Sequence, residues 1–195
     1  MTLANKHNAF NEFFSIEHRF NINISPLKPE DVNHESFINN IPLPFKIASE
    51  VSRIEQSAIN PLPNLKNEAS QLVTFLNNQS QKIDLLVSYI LNQEDNIDNR
   101  FNGTQLGGAG IIFESNNAYN DSTHLALKLF LTQENCAVFC YGEIISEELI
   151  DNIYRYKVLF SQIQDEDRET LVRTSLHLQS KQLKKLAQER SQDSQ

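Results

Sequence analysis

Cross-linking and punctuating residues are scarce in this chain, with two cysteines, five glycines and six prolines among 195 residues. Cys136 and Cys140 stand four apart in an apolar, strand-like run, and no second Cys or His pair at finger-like spacing completes a metal site. They read as buried free thiols, and no metal is expected. Basic residues are also few, 17 Lys and Arg against 25 Asp and Glu, and the net charge of −8 repels phosphate backbones. Nucleic acid is thereby disfavoured as a main partner, the one basic grouping being Lys181, Lys184, Lys185 and Arg190 on a late helix. No apolar run approaches the ~20 residues of a membrane helix, and Met1–Ala9 lacks a basic region followed by an apolar core. A cytoplasmic protein with neither membrane span nor secretory signal is expected.

Catalytic constellations are missing too. His7, His18, His34, His124 and His177 are dispersed, none with a Ser, Cys or carboxylate at a spacing that implies a triad or a metal cluster. His18 reads as strand-face packing and His177 as a helix surface residue. Asp165, Glu166, Asp167 and Glu169 cluster at the start of a predicted helix, where they complement its macrodipole. The glycines of Gly103–Gly110 are not followed by the Lys and hydroxyl residue of a Walker-type loop. The chain is expected not to be an enzyme and to carry no cofactor.

What the chain does have is a heptad. Leu65, Ala69, Leu72, Leu76, Gln79, Ile83, Leu86 and Ile90 recur at alternating spacings of four and three, the period of 3.5 that keeps one helix seam facing a partner. The segment Asn64–Gln93 carries Lys66, Glu68, Lys82 and Asp84, so it is a soluble helix and no membrane span. Thirty residues extend ~45 Å at 1.5 Å per residue, longer than a small domain can cover alone. Gln79 is the seam's polar member, of the kind that sets register and strand number. Val73, Phe75, Leu85, Val87, Tyr89 and Leu91 widen the apolar surface, which favours more than two helices or a second contact with the chain's own domain. The flanking charges are too few to set parallel or antiparallel pairing.

Strand patterns lie on either side. Phe14, Ile16, His18, Phe20, Ile22 and Ile24 alternate with polar residues, as in a strand with one wet face. All six prolines fall between Ser25 and Pro63 and punctuate a short helix at Phe45–Ala58, with Ile47, Val51, Ile54 and Ala58 on one face. Asn64, directly after Pro63, is placed to cap the long helix. Four of the five glycines crowd into Asn102–Gly110, read as a glycine-rich turn. Ile111–Phe113, Leu125–Leu131, Cys136–Ile145 and Ile153–Phe160 follow as strands, separated by polar turns at Gln133–Asn135 and Ser146–Asp151. A final amphipathic helix from about Asp165 uses Leu171, Val172, Leu176, Leu178, Leu183 and Leu186, with a polar tail from Gln188. The pattern predicts an α+β fold, one globular unit over residues 1–195 built on a small antiparallel barrel or sandwich, with residues 25–63 and 64–93 inserted after the first strand.

This order resembles the PilZ family, and within it the tetramer-forming branch. Tyr154–Phe160, Ile163, Asp167-Arg168, Leu171-Val172-Arg173, Gln179 and Leu183 look like the family's last barrel strand and closing helix. Gly110-Ile111-Ile112-Phe113 resembles the strand after its nucleotide-binding turn, and Asn64–Gln93 occupies the place of the branch's long heptad helix. The resemblance implies a six-stranded antiparallel β-barrel, a homotetramer, and an adaptor in cyclic di-GMP-linked control of pili, motility or surface behaviour that contacts other signalling or pilus and motility proteins. It also implies a ligand site from which this sequence departs. The paired arginines of the family fall at Asn11 and Ser15, and its Asp/Asn-x-Ser-x-x-Gly motif falls on Gln105, Gly107 and Gly110, where only the last glycine matches. Two charged hydrogen-bonding contacts are lost, each worth roughly 1.5–3 kcal/mol. At ~1.4 kcal/mol per tenfold, cyclic di-GMP affinity is expected to fall by about two to four orders of magnitude. Two alternatives stay open. One is a rearranged nucleotide site using Arg19, Arg100 and the glycine turn; in the other, the glycines serve a tight hairpin and Arg19 is a solvated surface residue.

Overall fold

The computed structural model describes residues 2–58, 68–120, 123–131 and 136–192. Its elements run α1 Leu3–Glu12, β1 Ser15–Pro26, α2 His34–Asn40, α3 Leu43–Ala58, α4 Glu68–Gln93, β2 Arg100–Gly107, β3 Gly110–Ser115, β4 His124–Leu131, β5 Cys136–Ile150, β6 Ile153–Ile163 and α5 Asp165–Gln192. Every strand pairing is antiparallel, and the six strands close into a barrel in the order β1-β2-β3-β6-β5-β4. The fold is thus an α+β barrel of six strands with α2, α3 and α4 between its first and second strands and a C-terminal helix.

The alternation of apolar residues explains how the barrel fills. Leu125, Leu127, Leu129 and Leu131 of β4 are all buried inside it, beside Ile22, Leu106, Ile111, Phe113, Val138, Cys140, Tyr156 and Val158. On the other side of the same wall a second core forms, because Phe130 of β4 and Phe139 and Tyr141 of β5 point outward under the inserted helices. Phe37 and Ile41 from the α2 region, Phe45 of α3 and Leu91 of α4 cover them. The Phe37 ring meets Tyr141 edge-on at 5.2 Å and stacks on Phe139 at 6.0 Å. The Tyr141 hydroxyl accepts from Asn40 Nδ2 at 2.9 Å and donates to the Ser36 carbonyl at 3.4 Å. The insertion is therefore packed on the barrel at its root.

A polar clamp follows the C-terminal end of α4, close to Leu91. The Asp95 carboxylate accepts from Asn21 Nδ2, Asn23 Nδ2 and Arg100 Nε, each at 3.0 Å. Asn23 Oδ1 in turn accepts the Asn96 amide at 2.7 Å. Asn23, expected on the wet face of the first strand, is consequently buried. Arg100, a candidate for a rearranged nucleotide site, holds its guanidinium against Asp95 with Nη2 and Oδ2 also 3.0 Å apart.

Three further expectations need correction, and one helix lies where no element was expected. The segment Asn102–Gly110 is not a turn; it is mostly β2, and only Gly108 and Ala109 bend between strands. β5 runs through the polar stretch from Ser146 to Ile150, and the tight turn is Asp151-Asn152, with φ of 50° and 62° as in a type I′ hairpin. An N-terminal helix, α1, precedes the first strand, capped where the Thr2 hydroxyl accepts the Asn5 amide. α5 continues through the expected polar tail to Gln192. Asn64, Leu65, the Gln133–Asn135 turn and the side chains of Ala58 and Ala69 lie outside the described residues.

Candidate functional site

α4 has two faces with opposite fates. Val87 and Leu91 turn inward to the outer core, while the heptad seam turns away from the chain. Along it, Leu72 is 53%, Leu76 50%, Ile83 46%, Leu86 64% and Ile90 39% exposed. Gln79 sits among them, half-buried. Phe75, Leu85 and Tyr89 flank the seam and are exposed as well. α3 adds Ile47 and Ile54, which are exposed, with Val51 half-buried between them. From Leu72 to Ile90 this row extends ~27 Å along α4 at 1.5 Å per residue. On a chain of net charge −8, this apolar row is left uncovered by the chain's own described residues.

The candidate ligand residues divide into two groups. β1 bulges between Glu17 and Phe20, so that His18 and Arg19 together oppose Thr104, and both swing outward. Arg19 and Gln105 thereby line one open cleft of about 470 Å³, with His18, Thr104, Glu114 and Arg155. Within it Gln105 Nε2 donates to Ser15 Oγ at 2.6 Å, and Arg155 lies 3.5 Å from Glu114. Of the positions where paired arginines would stand, Asn11 is in α1 and Ser15 opens β1.

Gly107 and Gly110 are absent from that cleft, and packing accounts for them. A Cβ on Gly110 would lie 2.1 Å from the Val158 carbonyl oxygen and 2.8 Å from the Phe10 ring; one on Gly107 would lie 2.8 Å from the Phe14 carbonyl. All five glycines have ordinary φ, so the left-handed backbone of an anion-binding nest is not built here. Instead the β2–β3 bend is covered. Phe10 lies on Gly110 with the Lys157 ammonium 4.9 Å above its ring. Phe13 lies on Gly108, whose carbonyl accepts from Arg168 Nη1 at 2.6 Å. Gly110→Ala is expected to destabilise the fold by ~1–3 kcal/mol, because the opposing atom is backbone and cannot rotate away. A chemical denaturation midpoint unchanged from wild type would refute this packing role.

The remaining titratable groups bear on stability. His177 is exposed on α5, and His18 is half-buried at the bulge. Cys136 and Cys140 form no disulfide, and only Cys140 is buried as expected, Cys136 being half-buried; burial pushes the Cys140 thiol well above its ordinary range. Of the acidic cluster at the start of α5, Asp165, Glu166 and Glu169 are exposed, as dipole complements should be. Asp167 is buried, and burial, helped by Glu166, raises its carboxyl from 3.8 to about 7. Among the described residues no group of three or more His, Cys, Asp or Glu is placed to hold a metal, and no helix is long and apolar enough to cross a membrane.

A closed six-strand barrel with this helical insertion and a closing helix is a PilZ-type fold. No protein-family model and no curated protein sequence matches the chain. Among solved structures, it is similar to a Xanthomonas campestris protein described as a tetrameric PilZ domain self-assembled via an unusual helical bundle. The TM-score is 0.57 at 17% identity, over 92% of this chain and 94% of the other. Lower similarity extends to the Bacillus subtilis inhibitor of motility MotI/DgrA, with TM-score 0.47 and 8% identity over 87% of this chain and 51% of that one. The PilZ domain of Escherichia coli YcgR, solved with c-di-GMP, gives TM-score 0.38 and 16% identity over 47% and 82%. The fold assignment rests on the first of these.

Proposed function

We propose that this chain is a non-enzymatic PilZ-like adaptor of the bacterial cytoplasm that self-assembles through α4 as a homotetramer. In this reading it acts in cyclic di-GMP-linked regulation of pili, motility or surface behaviour by contacting other proteins, without the usual nucleotide grip. The observation that carries the proposal is the bare apolar row on α4, beside the face that the chain itself covers. Helices with a 3.5-residue apolar period bury that row against copies of themselves. The tetrameric, helical-bundle assembly of the Xanthomonas protein supports the same use of the inserted helix. The signalling pathway is inferred from the PilZ resemblance. A second reading, a cyclic di-GMP receptor with a rearranged site, is favoured by one feature, the cleft that brings Arg19, Gln105 and Arg155 together.

Light scattering with and without cyclic di-GMP tests both. The wild type is expected at four times the 22.4 kDa of one chain. Leu72→Asp with Leu86→Asp should reduce it to a single chain, since a carboxylate in an apolar seam is left without a partner. An unchanged mass in the double variant would remove the assembly claim. Saturable micromolar binding of the dinucleotide, lost in Arg19→Ala, would establish the receptor instead.

A further inference from the structure

A second cleft lies beside the first and shares His18 with it, between β1 and the C-terminal half of α5. It measures about 420 Å³ and is otherwise lined by Leu178, Lys181, Gln182, Lys184, Lys185 and Gln188. Lys181, Lys184 and Lys185 follow i, i+3 and i+4 spacing and so share one helix face. Gln182 Nε2 donates to the Glu17 carbonyl at 2.9 Å and ties that stretch of α5 to β1. Among the described residues no carboxylate lines the cleft. Among the described residues neither Lys181 nor Lys184 has an acidic partner, although acidic side chains outnumber basic ones along the chain by 25 to 17. Lys181 and Lys184, like charges three apart on one face, repel each other.

We propose that the α5–β1 cleft is a docking site for an acidic peptide segment of another protein. Three ammonium groups rim it, while Leu178 and the lysine stems form an apolar wall, which suits a strand or helix that alternates carboxylates with apolar side chains. The chemistry argues against nucleic acid. Among the described residues no Phe, Tyr or Trp lines the cleft for a base to stack on, and the net charge of −8 opposes the approach of a phosphate polymer. The site lies on α5 and β1, so its use is independent of assembly through α4.

Fluorescence anisotropy on the full chain, with a labelled dodecapeptide of alternating Glu and Leu as probe, tests this. Saturable binding is expected at low salt, weakened about tenfold or more by Lys181→Glu with Lys184→Glu and by raised salt. Both lysines are exposed, so the variant should melt as the wild type does. Lys28→Glu with Lys46→Glu makes the same change in net charge at two other exposed sites and should leave the affinity within about twofold. Equal losses in the two double variants, no binding at all, or tighter binding of labelled oligothymidylate would each overturn the proposal. So would a lower solution mass for Lys181→Glu with Lys184→Glu, since that would make the occupant a second copy of this chain.

Discussion

Phe37→Ala is expected to lower the unfolding free energy by about 3–5 kcal/mol and the melting temperature by about 10 °C, measured at fixed protein concentration. Phe37 is 1% exposed and touches both Phe139 and Tyr141, so its removal opens a cavity between two elements. The wall it leaves behind belongs to the barrel and cannot collapse to fill that space, because the other side of β4 and β5 is already packed around Leu127, Leu129 and Val138. Phe37→Leu should recover about half of the loss, since most of the apolar volume returns without the ring contacts. The same experiment reports on assembly. α4 reaches the barrel through Leu91 and Val87 in this outer core, so loosening the core also loosens the base from which the heptad row projects. A loss below about 1 kcal/mol would mean that the inserted helices and the barrel do not form one cooperative unit.

This outer core also shows what could and could not be read from residue order. The β4 leucines were legible because a strand's inward positions repeat every two residues, and the α4 seam was legible because its period belongs to one helix. That Phe130 and Phe139 face a second core was not, since it depends on which surface the inserted helices cover. β2 was hidden by its own composition. Asn102, Gly103, Gly107 and Gly108 carry turn chemistry, yet Gly103 is in a strand, and it is glycine because the Phe20 ring occupies the space where its Cβ would be, 2.2 Å away. α1 offered only the Thr2 cap and a single buried residue, Phe10, too little for a periodicity to register. Of the candidate ligand residues, Arg19 and Gln105 meet only through the bulge, which shifts the register of β1 and leaves no mark in the spacing. The Asn23–Asp95 clamp joins residues 72 positions apart and had no local signal.

Asp167→Asn is expected to stabilise the protein at pH 8 by about 2–4 kcal/mol and to change it little at pH 4. Asp167 is 8% exposed in the first turn of α5, where burial lifts its carboxyl from an ordinary 3.8 to about 7. The folded chain thus holds a proton that the unfolded chain has released throughout that window. Folding is then favoured at low pH, and stability falls as pH rises from about 4 through about 7, levelling off once both states are ionised. Three units at ~1.4 kcal/mol each set the upper end of the effect, and the helix dipole, which favours a negative charge at this position, reduces it by ~0.3–1 kcal/mol. Asparagine keeps the shape and cannot ionise, so it should flatten the acid side of the stability profile as well as raise it at neutral pH. Asp165→Asn, on the exposed neighbour in the same turn, is the control that separates burial from the dipole; losing its charge should cost a few tenths of a kcal/mol. An Asp167→Asn gain of equal size at pH 4 and pH 8 would show that packing, and not the buried charge, is the source.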